Sequence, residues 1–287
     1  MPLISKSPHF VFFGTLDFAV VVLEKLIADG FAPTCVVCNP DRPVGRKKVI
    51  TQPPTKLLAK KNGIKVWQPE KLEIGNWKSE VGEIDFAIVA AYSKIIPKGI
   101  IEIPKLGVIG VHPSLLPKYR GASPIQSAIL RGDEKTGVTL FLIDEKVDHG
   151  PVLAQAKVTG HGSGIKYAEL QKQLAELAGD LLVEMLPKFL AGEITPQSQN
   201  DEGATYTKKF LSEDARIEPG DLERALSGEN PGLAQSIDRK IRALNPEPGV
   251  WTMKDGKRMK LLEAEIADGR LRLKRIQIEG KKPQAMK

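Results

Sequence analysis

Short apolar runs alternate with stretches of helical periodicity along the first two thirds of the chain. His9–Phe13 reads as a strand ending at Gly14, and Asp17–Ala28 follows with helical spacing, with Gly30 where a C-terminal cap belongs. Thr34–Cys38 predicts a second strand, Pro54–Asn62 a helix stopped by Gly63, and Ile64–Trp67 a third strand. Asp85–Ala90 is an uninterrupted apolar run, the pattern of a strand buried on both faces, and Val108–Val111 is another. Ser123–Leu130 predicts a helix, Thr136–Ile143 and Pro151–Val158 strands, and Ile165–Leu190 a long amphipathic helix.

The pattern changes at 191–206, where AGEITPQSQNDEGAT is polar and reads as a linker. Beyond it, Pro231–Leu244 is amphipathic, with Leu233, Ile237, Ile241 and Leu244 on one face. Val250–Met253, Arg258–Ile266 and Leu271–Ile278 then alternate, joined by Asp255-Gly256 and Asp268-Gly269, the dipeptide of tight hairpins. The expected fold is α/β: a Rossmann-like, mainly parallel sheet over residues 1–190, a linker over 191–206, and a smaller C-terminal β-barrel (OB-like) domain over 207–287.

Charge adds a partner class. The net charge is +7, and residues 207–287 carry eighteen Lys/Arg against thirteen Asp/Glu, so most of the excess sits in the smaller domain. A basic module beside a near-neutral one suits a polyanion, although a solvated lysine-rich surface has the same composition. No apolar run approaches the ~18 residues of a membrane span, so no membrane role is expected. MPLISKSPHF lacks the charged start and apolar stretch of a signal peptide, which points to the cytoplasm. Cys35 and Cys38 form a C-x-x-C pair with no second Cys or His pair to complete a tetrahedral site, so no metal is expected.

The G-x-G-x-x-G and P-loop fingerprints are missing after the first strand, where Gly14-Thr15-Leu16-Asp17 stands. A ligand still belongs at the carboxyl ends of the parallel strands. His112 ends one of them, inside the Pro- and Gly-rich GVIGVHPSLLPKYRGASPIQ. Imidazole changes charge near neutrality and suits proton transfer or oxyanion stabilisation. Its partner candidate is Asp148, in IDEKVDHGPVL; Asp144 and Glu145 are also available, and spacing does not force the choice among them. The loop 40–48, with Arg42, Arg46, Lys47 and Lys48, reads as a flexible basic loop able to neutralise phosphates.

His112-Pro113-Ser114-Leu115-Leu116-Pro117, followed by Arg120-Gly121-Ala122 and Pro124-Ile125, resembles the signature of the folate-dependent formyltransferases. Within that group the basic 40–48 loop, Ala204-Thr205-Tyr206 and the stretch Ile241–Gly249 are similar to the methionyl-tRNA formyltransferases. The resemblance implies formyl transfer from 10-formyltetrahydrofolate to methionyl-initiator tRNA for translation initiation, by a monomer. It places Asp148 on the catalytic aspartate and His112 beside it as oxyanion donor and proton carrier. It puts folate against Val89, Ala90, Ala91, Tyr92, Ser93, Lys94 and Ile95, with Ser114, Leu115, Leu116 and Pro117 as a second wall and Asp144 nearby. It gives Phe13, Gly14, Thr15, Arg42, Arg46, Lys47 and Lys48 to the tRNA side.

Gly110 departs from the pattern, because the family has an asparagine two residues before the histidine. Asn-x-His sets an amide and an imidazole on one face of a strand end, and loss of an oxyanion donor typically costs ~10²–10³ in turnover. Restoring the asparagine is therefore expected to raise turnover. His149, where the family has a small residue, is a lesser departure. Two other functions stay open: formyl transfer to an amino-sugar nucleotide, and a catalytically impaired relative that binds folate and tRNA.

Overall fold

The computed structural model describes residues 8–45, 47–159 and 164–286. Arg46 and the stretch MPLISKS, on which the signal-peptide reading rests, lie outside the described residues. In chain order the elements begin with β1 (Phe10–Phe13), α1 (Asp17–Ala28), β2 (Cys35–Val37), β3 (Arg42–Val44), β4 (Val49–Thr51) and α2 (Pro54–Lys61). Then come β5 (Lys65–Trp67), α3 (Ile74–Glu80), β6 (Phe86–Ala90), α4 (Lys98–Ile101), β7 (Val108–His112), β8 (Arg120–Gly121) and α5 (Pro124–Arg131). β9 (Lys135–Leu142), β10 (Val152–Thr159), α6 (Tyr167–Leu190), β11 (Tyr206–Thr207), α7 (Pro219–Ser227) and α8 (Pro231–Leu244) follow. The chain closes with β12 (Trp251–Lys254), β13 (Lys257–Ala267), β14 (Arg270–Ile278) and β15 (Gln284–Ala285).

Two compact units interleave along this order. One comprises residues 1–120, 137–157 and 172–205, and the other 121–136, 158–171 and 206–287. The chain-order blocks 1–190, 191–206 and 207–287 therefore do not describe the packing. α5, expected in the larger block, packs on α8 of the second unit, and the stretch read as a linker belongs to the first unit as far as Thr205.

The first unit is built on a seven-stranded sheet in the order β10-β9-β7-β6-β1-β2-β5. β5, β2, β1, β6 and β7 run parallel, and β9 is antiparallel to β7. The parallel strands read as unbroken apolar runs because both faces are covered. On one face Phe10 stacks on Phe86 with centroids 4.8 Å apart, and Phe189 of α6 meets Phe86 edge-on at 6.1 Å. On the other, Val11, Phe13, Cys35, Val37 and Ala87 pack with Trp77 and Ile100. Each side chain of this size buried contributes roughly 1.5–3 kcal/mol relative to exposure.

In the second unit, β12-β13-β14-β15 form a four-stranded antiparallel sheet, the β-rich C-terminal module expected, and Trp251 of β12 bridges in parallel to Arg216. Both Asp-Gly turns have two consecutive positive φ values, 49° and 71° at Asp255-Gly256 and 52° and 73° at Asp268-Gly269, the geometry that matches strand twist. α8 buries Ala234, Ile237, Ile241 and Leu244, and Asn230 caps it by accepting from the Leu233 N–H at 2.9 Å. α7 was absent from the periodicity reading. Its sequence does carry the end signals of a helix, Pro219 at the start and Gly228 with φ 85° at the stop.

Candidate active site

The loops leaving β1, β2 and β6 are stitched together at one edge of the first unit's sheet. The Gly14 N–H donates to the Val37 carbonyl at 3.0 Å, and its own carbonyl accepts from the Thr55 hydroxyl at 2.9 Å. A Cβ on Gly14 would come within 2.6 Å of both Ala19 and the Phe12 ring, so only glycine fits. The Thr15 N–H donates to the Ala91 carbonyl (3.3 Å), the Thr15 hydroxyl accepts from the Asn39 N–H (3.2 Å), and the Asn39 amide donates to the Ser93 hydroxyl (2.8 Å). Phe13, given above to the tRNA side, is a core residue instead: it is 1% exposed and packed against Trp77 and Tyr92.

His112 ends β7 and is 6% exposed. Its Nε2 lies 2.8 Å from the Tyr119 carbonyl, and since a carbonyl only accepts, Nε2 carries the proton and donates. That leaves Nδ1 facing Asp148, whose Oδ2 is 3.5 Å away. Spacing left three carboxylates open; of these, Asp148 pairs with His112, Asp144 with His149 (2.6 Å) and Glu145 with Lys98.

The route by which Asp148 arrives differs from a simple hairpin tip. β9 pairs Thr139 with His112 but Leu142 with Ile109, so the chain leaves the sheet near the start of β7. The Ile143 N–H still donates to the Val108 carbonyl at 2.8 Å. Residues 144–150 then return to bring Asp148 against His112. Asp148 has φ +46°, an uncommon backbone for a side-chain-bearing residue, and Gly150 presses on the Leu142 carbonyl where no Cβ fits.

This return loop is held by residues from the supposed linker. The Gln199 amide donates to the carbonyls of Asp148 (2.9 Å) and Gly150 (2.8 Å). Its oxygen accepts from Nε (3.1 Å) and Nη2 (2.8 Å) of Arg120, which is 1% exposed. Asp201 accepts from Arg120 at 2.8 Å and lies 3.5 Å from Nε2 of His149. The Arg120 hydrogen bond, outweighing some desolvation, holds the Asp201 carboxyl below its ordinary 3.8.

Gly110 and His112 point to the same face of β7, and Gly110 pairs directly with Phe141 of β9. A Cβ on Gly110 would lie 2.6 Å from Cζ of the Phe141 ring, closer still to Cε1, and 3.1 Å from Cγ1 of Ile143. The space for an asparagine is thus filled by a ring only 3% exposed. The expectation that an amide could simply be restored here is corrected by that packing.

Among the folate-side residues, Ile95 is 92% exposed, while Lys94 donates to the carbonyls of Pro69 (2.6 Å) and Glu70 (2.9 Å). Tyr92 is half-buried, and burial pushes its hydroxyl up to about 12. The second wall is turned inward. Ser114 and Leu116 are buried, the Ser114 hydroxyl donates to the Lys118 carbonyl at 2.6 Å, and the Leu116 N–H donates to Thr139 at 3.0 Å. Of that segment only Leu115 and Pro117 keep partial exposure. The basic loop is a hairpin rather than a flexible loop: β3 and β4 pair Arg42 with Thr51 and Val44 with Val49. Lys47 and Lys48 are exposed at its turn, and Asp41 anchors its base to Lys56 at 2.7 Å and to Gln68 at 2.9 Å.

A family model described as formyl transferase matches residues 9–186, and one described as formyl transferase, C-terminal domain, matches residues 233–270. This chain belongs to the formyl transferase family. The methionyl-tRNA formyltransferase of Halorhodospira halophila is 39% identical over 269 residues, 92% of this chain and 82% of that protein. Two solved structures share the fold. The methionyl-tRNA formyltransferase from Clostridium thermocellum has a TM-score of 0.59 at 19% identity, with 94% of this chain and 98% of that chain covered. An N-formyltransferase from Helicobacter canadensis, solved with folinic acid and dTDP-3-aminofucose, has a TM-score of 0.63 at 19% identity, covering 91% and 88%.

Among the described residues no group of three or more His, Cys, Asp or Glu is placed to hold a metal ion, and no helix is long and apolar enough to cross a membrane. Cys35 and Cys38 are buried free thiols, and burial pushes both up to about 11. The sequence reading missed Gln199, Phe141 and the function of Arg120. Arg120 stood in the quoted signature, but a glutamine inside a polar stretch gives no signal of its own.

Proposed function

We propose that this formyltransferase moves the formyl group of 10-formyltetrahydrofolate onto the free amino group of methionyl-initiator tRNA, with His112 and Asp148 as its catalytic pair. The observation that carries this reading is the setting of His112: Nε2–H is committed to the Tyr119 carbonyl, and Nδ1 faces the Asp148 carboxylate. The folate supplies the one-carbon group. Attack by the amine builds negative charge on the formyl oxygen and positive charge on nitrogen. Neutral His112 has its free lone pair at Nδ1, so it takes the proton there, and the Asp148 carboxylate stabilises the resulting imidazolium. Protonated His112 then has an Nδ1–H to offer the oxyanion or the departing folate nitrogen. Neutral His112 has none, so its donor role depends on prior proton uptake.

The exposed Lys47 and Lys48 on the β3–β4 hairpin, with Arg42, support contact with tRNA phosphates. The Gly110–Phe141 pair favours a second statement, that turnover is lower than in a relative carrying a side-chain amide two residues before the histidine. The test is incubation with 10-formyltetrahydrofolate and either methionyl-initiator tRNA or a dTDP-amino sugar. Formyl-methionine on tRNA, lost in His112→Ala, is the expected result. A formylated sugar without formylated tRNA refutes the substrate, and normal turnover in His112→Ala refutes the mechanism.

A further inference from the structure

Asp148 reaches His112 from a loop whose local contacts run through Asp144, which accepts from the Lys146 N–H at 2.9 Å and pairs with His149 at 2.6 Å, and leave the carbonyls of Asp148 and Gly150 to a partner from elsewhere in the chain. The loop leaves the sheet near Ile109, passes through the φ +46° conformation at Asp148, and turns back at Gly150. Something must hold the two carbonyls that flank His149, and one side chain does so. The Gln199 amide nitrogen donates to both, at 2.9 and 2.8 Å. The amide has a single orientation available. Rotating it end for end would set its NH₂ against the Arg120 guanidinium and its oxygen against two carbonyls, replacing four attractive contacts with repulsive ones. Arg120 is itself 1% exposed, and Asp201 balances its charge at 2.8 Å.

We propose that Gln199, locked by Arg120, is a positioning residue that holds the loop so that the Asp148 carboxylate stays against Nδ1 of His112. It touches no reacting atom and acts through the backbone of Asp148 and Gly150. The inference rests on the catalytic role given above to the His112–Asp148 pair.

Gln199→Glu separates this role from a merely structural one. The carboxylate still accepts from Arg120, so the docking of the 199–201 segment survives. It has no N–H for the two carbonyls, so the backbone at Asp148 and Gly150 loses this clamp while the Asp144–His149 and Glu145–Lys98 pairs still hold the rest of the loop. A displacement of ~1 Å in a catalytic group can cost ~10²-fold, so kcat is expected to fall roughly 10–100-fold with KM for folate within about threefold. In an Asp148→Asn background the same change is expected to cost less than about twofold, because the group it positions is already disabled. Gln199→Ala serves as the second variant, with folding of each checked by circular dichroism. Wild-type kcat in Gln199→Glu, or an equal loss in both backgrounds, overturns the proposal. The ¹⁵N signals of the His112 ring, assigned with His112→Ala, give a readout independent of the formyl acceptor. They are expected to shift in Gln199→Glu, and unshifted signals overturn the clamp even if the acceptor of the formyl group proves to be other than tRNA.

Discussion

Replacing Gly110 by asparagine is the change that most directly tests the packing at the candidate site. Gly110 is outside the left-handed region, so its backbone accepts a side chain and the obstacle is steric. The new Cβ would lie 2.6 Å from Cζ of Phe141, where ordinary contacts begin near 3.4 Å, so the ring or the strand must give by roughly 1 Å. Phe141 is buried and cannot swing into solvent. Forcing extra atoms into such a site typically costs about 1–3 kcal/mol, or a fall in Tm of about 2–4 °C per kcal/mol for a chain near this size. A preorganised amide could lower the barrier by about 2.7–4 kcal/mol, but only if it reaches the reacting oxygen, which the ring prevents. Gly110→Asn alone is therefore expected to melt several degrees lower with little change in turnover. Phe141→Leu opens the space, and Gly110→Asn in that background is expected to raise turnover above Phe141→Leu and to recover part of its stability. Thermal melts and single-turnover formylation of the two single variants and the pair measure this coupling. A gain of ~10²-fold in Gly110→Asn at unchanged Tm would refute the steric argument. A double variant no faster than Phe141→Leu would show that an amide at this position has nothing to act on.

The raised thiols of Cys35 and Cys38 predict that a thiol reagent at pH 7.5 labels neither in the native protein and both in denaturant; rapid native labelling would contradict their burial. Lys47→Ala with Lys48→Ala is expected to weaken tRNA binding and reduce its salt slope by about 0.9 per lost phosphate contact while leaving folate binding unchanged; an unaltered slope would remove the hairpin from the tRNA contact. Asp201, held below 3.8 by Arg120, contributes stability that is full above about pH 4 and is lost as pH falls through its folded-state value. The Tm gap between wild type and Asp201→Asn should accordingly stay constant from pH 7 to about 5 and close below pH 4, and a gap that persists unchanged to about pH 2 would refute the assignment.

The sequence by itself determined whatever depends on neighbours in the chain. Asp17–Ala28 and Pro231–Leu244 came out with their observed ends, because helix start and stop signals lie within a turn of the residues they act on. Both Asp-Gly hairpins did so too, since positive φ is a property of two adjacent residues. His112 at the end of a buried strand was legible from the apolar run before it and the Pro-Gly loop after it. The tertiary structure alone decided which side chain stands opposite which. That Phe141 fills the room over Gly110 follows from the register of β9 on β7, and a register is a pairing between residues thirty-one positions apart that neither strand records. The resemblance names Asp148, but that Asp148, and neither Asp144 nor Glu145, stands against Nδ1 of His112 depends on how a loop folds back over the sheet. The part played by Gln199 depended on where a polar stretch comes to rest, because a side-chain amide bonds whatever backbone the fold brings within 3 Å.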